Sequence, residues 1–192
     1  MESPATVPAV ELRISISETE PLIWRQLVLP ETATVAELHE AIQCAFGWKN
    51  SHLYAVAGRD RTGKKRIIMG VDDGDLPADS EIAASVRLLE LFDAQTSGQS
   101  DLEYDYDFGD NWTHEIDVVG PAVLPESSIT CNGGAMRGPV EDSGGVQGYA
   151  NVVAVVSNPK HPEHREAVDW LELVTLRRAW QSLIRQLLIA TP

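Results

Sequence analysis

Cysteine is scarce in this 192-residue chain, which has only Cys44 and Cys131. The two stand alone, without partners at zinc-ligand spacing, so a zinc finger is excluded and both residues are expected to be reduced thiols. Long apolar runs are missing too: none approaches the ~18 to 20 residues that a spanning helix needs, and no membrane partner is expected. Met1 to Val10 has neither the basic segment nor the apolar core of a signal peptide, which leaves a cytoplasmic location as the expectation. The chain also lacks a Gly-x-Ser-x-Gly elbow, a glycine-rich phosphate loop and a His-Arg-Asp catalytic loop. Asp107-Phe108-Gly109 therefore spells the kinase magnesium triplet with no kinase around it. The acidic stretch Asp72 to Asp79 fails as an EF-hand, because aligning Gly74 with the sixth loop position leaves Met69 where the first Asp ligand belongs.

What is present is the composition of a globule, 43% hydrophobic and 23% charged, at the size of one ordinary domain. The expectation is a flexible tail over 1–10 and a single domain over 11–192. The net charge of −14 is concentrated. Between Asp72 and Asp142 there are 17 acids against Arg87 and Arg137, a net of −15, while the remainder carries 12 acids against 13 bases, a net of +1. Such a centre repels nucleic acid phosphates and attracts cations or basic partners.

Periodicity supplies the elements. Leu12, Ile14 and Ile16 alternate with polar neighbours, and Ile23 to Leu29 follows after Glu20-Pro21, predicting a hairpin. Thr34 and Glu37 read as a capping box for a helix whose apolar stripe, Val35, Leu38, Ala41, Ile42, Ala45 and Phe46, ends at Gly47. A second hairpin is predicted from Leu53 to Ala57 and Arg66 to Val71, with a basic tip around Arg61 to Lys64. A helix is predicted near Ser80 to Asp93, then strands at Leu102 to Phe108 and Trp112 to Val119. Leu102, Tyr104, Tyr106 and Phe108 share one face of the first of these, and Glu103, Asp105 and Asp107 the other. Gly120 to Gly148, rich in glycine and proline, reads as one long irregular loop, and such loops are functional-site candidates. Helices over Val146 to Ser157, Pro162 to Leu173 and Thr175 to Ala190 close the chain. The fold class that follows is α+β, a single domain of β-hairpins packed against helices with a C-terminal helical segment.

Chemistry-bearing residues concentrate in two places. Tyr104 to Glu115 gathers carboxylates, aromatics and His114 around one hairpin turn, and Glu141 and Asp142 stand in the loop before a helix. Two readings from different classes follow. In the first the chain is a non-catalytic binding module whose surface combines Tyr106, Trp112 and Tyr149 with the acids Asp107, Asp110, Glu141 and Asp142 and with His114. It holds a basic protein or peptide and requires no cofactor. In the second, Asp107, Asp110, His114, Glu141 and Asp142 hold a divalent metal that activates water for hydrolysis. A third is an acidic mimic of DNA. His39, beside an apolar helical stripe, reads as a core histidine, and His52 is left open between core and site.

Several motifs occur together in order: Pro21-Leu22-Ile23-Trp24-Arg25, Leu38-His39-Glu40-Ala41-Ile42, Gly47-Trp48, His52-Leu53, Tyr104 through His114, Glu141 through Gly145, Gly148-Tyr149, and Asn158 through His164. With these the chain resembles, from about Glu11 to Glu172, the proteins similar to open reading frame 3 of the root-inducing plasmid pRiA4b, the MM3350-like proteins. The resemblance implies an uncharacterised protein of plasmids, insertion elements and bacterial chromosomes. Some members bear a resolvase-like label, which the strongly acidic centre here contradicts. Members often read Cys-Pro-Pro-Glu-Asp where this chain has Gly138-Pro139-Val140-Glu141-Asp142, so a cysteine that could partner Cys131 is missing.

Overall fold

A computed structural model describes residues 6–70, 77, 79–95, 97–125 and 128–174. The chain divides into two compact units, Met1–Val146 and Gln147–Pro192. The first is built on a mixed sheet of strands β1 (Thr6–Ile16), β2 (Ile23–Pro30), β3 (Tyr54–Arg59), β4 (Lys65–Met69), β5 (Glu81–Ile82), β6 (Gly98–Tyr106), β7 (Trp112–Pro125) and β8 (Thr130–Ala135). Their order is β5-β4-β3-β6-β7-β1-β2-β8, and every pairing is antiparallel except β4 with β5. Helix α1 (Val35–Phe46) and the one-turn α2 (Leu88–Leu91) belong to this unit, and α3 (Gly145–Ser157) starts at its end. In the second unit, α3 is followed by a helix over 164–174, with the His164 ring nitrogen Nδ1 3.2 Å from the Val155 carbonyl. The α+β class is the one the sequence predicts.

β1 lies at the middle of its half of the sheet, between β7 and β2, which explains its burial on both faces. Leu12, Ile14 and Ile16 are fully buried on one, while Ala9 on the other packs with Val28 and Leu124. α1 starts and stops where the sequence predicts. The Thr34 hydroxyl accepts from the Glu37 amide at 3.2 Å, the Glu37 carboxylate accepts from the Thr34 amide at 2.7 Å, and Gly47 ends the helix in the left-handed region at φ 78°. Its buried residues include Val35, Leu38, His39, Ile42 and Phe46.

Four expectations need correction. Thr6 to Val10, expected in a tail, extend β1 and pair with Pro125 to Pro121 of β7. Ser80 to Asp93 is no helix. Its backbone bonds outward instead: Met69 pairs with Ile82, the Val35 amide donates to the Val86 carbonyl at 2.9 Å, and the Leu88 amide donates to the Ala33 carbonyl at 2.9 Å, leaving only a 3₁₀ turn and α2. The stretch after Gly120 is partly sheet. β7 continues to Pro125 past a bulge opposite Glu11/Leu12, and β8 adds an edge strand on β2, an edge being where glycine and proline are tolerated. The alternation along β6 ends at Tyr106: Asp107 turns into the left-handed region at φ 57° and is buried, while Phe108 is half exposed. The predicted acidic loop at 72–76 and the helix over 175–190 lie outside the described residues.

Candidate metal centre

Three chain segments meet in the first unit. β3 pairs with β6 so that Tyr54 faces Tyr106, and the Asp107 amide donates to the Leu53 carbonyl at 3.0 Å, which sets His52 beside Asp107 across 55 residues of sequence. From the other side, the loop after β8 lies against the end of α1. A Cβ on Gly138 would stand 2.0 Å from the Phe46 carbonyl oxygen, so only glycine permits that approach. Further along, the Asp110 carboxylate accepts from the Gly144 amide at 2.9 Å. Between those two anchors lie Glu141 and Asp142.

His52 Nε2 sits at the focus. Asp142 Oδ1 is 3.2 Å away, Asp107 Oδ2 3.4 Å and Glu141 Oε2 3.5 Å. The nitrogen is buried and none of the three contacts has hydrogen-bond geometry. One ligand atom each from His52, Asp107 and Asp142 lies within 4.8 Å of the others. The two buried carboxylates share a pattern. Asp107 Oδ1 accepts from the amides of Gly109 at 3.0 Å and Asp110 at 3.3 Å, leaving Oδ2 toward His52. Glu141 Oε1 accepts from the Lys49 amide and from the Tyr106 hydroxyl at 3.0 Å, leaving Oε2 toward His52. Each acid therefore has one oxygen fixed by protein donors and the other aimed inward. Asp142 is 75% exposed on its side chain and His52 29%, so the centre opens to solvent on their side.

Beneath it is an aromatic layer. Trp48 packs 5.3 Å from Tyr106 and 5.4 Å from Trp112, ring centre to ring centre, and His114 stands edge-on to Phe46 and Tyr104. Burial pushes the Tyr106 phenol up; the Ser51 amide opposes this in part, and the Glu141 charge adds to it, so the hydroxyl stays a proton donor to Glu141.

Asp107, Glu141 and Asp142 are thus brought together as both sequence readings require. Asp110 stands next to them, but its side chain holds the loop through Gly144. Four expected members take another role or lie in another element. Tyr106 and Trp112 are fully buried, so they underlie the acids instead of forming an exposed aromatic surface. His114 is fully buried: its Nδ1–H donates to the Trp112 carbonyl at 2.9 Å and reaches the Tyr104 carbonyl at 3.2 Å. Loss of hydration lowers its pKa to about 4, so it is a neutral core residue and no ligand of this centre. Tyr149 lies in α3 within the second unit and is half-buried. His52 replaces His114 as the imidazole of the cluster.

The fold and the cluster define the class: an α+β protein with a mixed eight-stranded sheet and one histidine among three carboxylates. The chain belongs to the plasmid pRiA4b ORF-3-like protein family, whose model matches residues 8–180. It is 36% identical over 166 residues to the uncharacterized protein y4hQ of Sinorhizobium fredii, a match that spans 84% of this chain and 79% of that protein. It is similar to the crystal structure of MM3350, a protein of unknown function from Methanosarcina mazei, with a TM-score of 0.76 and 29% identity, over 85% of this chain and 89% of that one.

Proposed function

We propose that this protein binds one divalent cation at His52, Asp107 and Asp142, with Glu141 beside it. One observation carries the reading: a single imidazole nitrogen faces three carboxylate oxygens at 3.2–3.5 Å and hydrogen-bonds to none. A protonated imidazole offers one N–H and one positive charge to three negative groups, whereas a dication satisfies several oxygens and a neutral imidazole at once. A mixed nitrogen and oxygen set suits manganese or zinc better than magnesium or calcium. Capture of a basic partner keeps only its electrostatic support, since Tyr106 and Trp112 are inside.

Elemental analysis of protein purified without chelator or affinity-column metal tests this, with melting curves in EDTA and in added manganese, zinc and magnesium. At a metal concentration of about 100 times Kd, mass action stabilises by about 2.7 kcal/mol. At about 2–4 °C per kcal/mol for a chain of this size, the melting point rises by about 5–10 °C. The shift should vanish in His52→Ala and persist in Cys131→Ser. Identical curves with EDTA and with every metal would overturn the reading.

A further inference from the structure

Resting on that cation centre, we infer that Glu141 is the general base of a hydrolytic reaction on neutral or cationic acyl substrates, esters or amides. One feature sets Glu141 apart from the ligands, and two more place its free oxygen. It is not among the residues whose ligand atoms lie within 4.8 Å of one another. Its Oε1 is held by the Lys49 amide and the Tyr106 hydroxyl, so the carboxylate keeps one orientation. Its Oε2 faces the focus of the cluster, 3.5 Å from His52 Nε2, where a water on the ion would sit. Three protein ligands, with the exposed Asp142 on the solvent side, leave coordination positions for water and substrate, the pattern of a catalytic site and not of a closed structural one.

Charge and surface choose the substrate. With a dication bound, Asp107, Asp142 and Glu141 leave the centre at −1, and the surrounding segment is acidic, so a phosphate ester is repelled while a neutral or positively charged acyl group is not. Leu53 and Phe108, neighbours in sequence of His52 and Asp107, are 46% and 50% exposed and give an apolar side chain something to lie against. The step balances without an oxidant. Glu141 Oε2 takes a proton from the water, the water oxygen bonds to the acyl carbon, the bond from that carbon to the leaving nitrogen or oxygen breaks, and the proton passes from Glu141 to the leaving group. One water is consumed, giving a carboxylic acid and an amine or alcohol.

The full chain loaded with manganese or zinc should be assayed on umbelliferyl acetate, on alanine and lysine p-nitroanilides, and on bis(p-nitrophenyl) phosphate, beside calorimetric metal titration. Acyl probes should be cleaved and the phosphodiester not. Glu141→Gln should lower kcat by about 10²–10⁴-fold while metal affinity stays within about tenfold. If that variant fails to fold, Glu141→Asp keeps the charge but withdraws the carboxylate, and the same loss of turnover is expected with metal still bound. Metal binding with no acyl cleavage, cleavage undiminished in both variants, or preference for the phosphodiester would each overturn this inference and leave the cation centre standing. Failure of metal to bind at all would remove both.

Discussion

Removing the Tyr106 hydroxyl measures how firmly Glu141 is held. In Tyr106→Phe the ring keeps its packing on Trp48 at 5.3 Å, so no cavity larger than one oxygen appears, and the change is confined to two hydrogen bonds. One is the Ser51 amide donating to the hydroxyl at 3.0 Å, the other the hydroxyl donating to Glu141 at 3.0 Å. A neutral bond is worth about 0.5–1.5 kcal/mol and one to a charged group about 1.5–3 kcal/mol. With the Lys49 amide still serving Glu141, the two together give a loss of about 2–4 kcal/mol. Urea unfolding followed by tryptophan emission reports this region directly, because Trp48 and Trp112 both lie in the same layer. The melting point should fall by about 4–16 °C. A double-mutant cycle with Glu141→Gln should return a coupling of about 1.5–3 kcal/mol. Additive effects, or a loss below about 0.5 kcal/mol, would refute the claim that this hydroxyl positions the carboxylate.

Stability should decline as pH falls. His114 has its folded pKa lowered to about 4 by burial, against about 6.5 in an unfolded chain, so its contribution is complete above pH 6.5 and is lost between there and pH 4. The slope is at most about 1.4 kcal/mol per pH unit and the total about 3 kcal/mol. His39, also lowered by burial, adds in the same direction. Urea unfolding across that range, compared with His114→Phe, checks it, the variant giving a shallower slope. Gly138→Ala should cost about 1–3 kcal/mol, because its Cβ would meet the Phe46 carbonyl oxygen at 2.0 Å and must push the Glu141 loop off α1; denaturant unfolding reads the cost and metal titration the displacement. Thr34→Ala should cost about 1 kcal/mol by removing the α1 cap, with metal affinity unchanged in titration.

The sequence makes local order legible and leaves convergence hidden. The capping box, the glycine stop and the alternation of Leu12, Ile14 and Ile16 in β1 are decided by neighbours within a few residues, and the structure follows them. Ser80 to Asp93 has an equally regular apolar spacing, yet its amides and carbonyls pair with β4 and with the residues flanking Thr34, which no local pattern records. The same division runs through the site. Asp107, Glu141 and Asp142 are legible as acids beside turns. His52 joins them only because β3 and β6 pair in one register, a fact held jointly by two distant segments. One signal in the sequence does separate His114 from the acids. Trp112, His114, Ile116 and Val118 alternate as buried positions along β7, so the period of two already places His114 with the core aromatics.

A closed polar ring explains why the segment carrying His52 holds its place. His39 Nε2–H donates to Asn50 Oδ1 at 3.0 Å, and the Asn50 amide donates to Gln43 Oε1 at 2.7 Å. The Gln43 side chain in turn donates to the Tyr104 hydroxyl at 3.1 Å, and that hydroxyl donates back to His39 Nδ1 at 2.8 Å. The Asn50 acceptor fixes the tautomer, since Nε2 must carry the hydrogen and Nδ1 must accept. Tyr54 stacks on the same imidazole at 3.6 Å between ring centres. Every member therefore has one donor and one acceptor role in the ring, and the ring requires a neutral His39, the state that burial favours. Protonation would place a hydrogen on Nδ1 against the Tyr104 hydroxyl and break the circuit two residues before His52. The core that stabilises the fold and the segment that carries His52 thus both depend on a neutral His39, so acid should loosen the centre and the fold together, which metal titration and urea unfolding at falling pH would read.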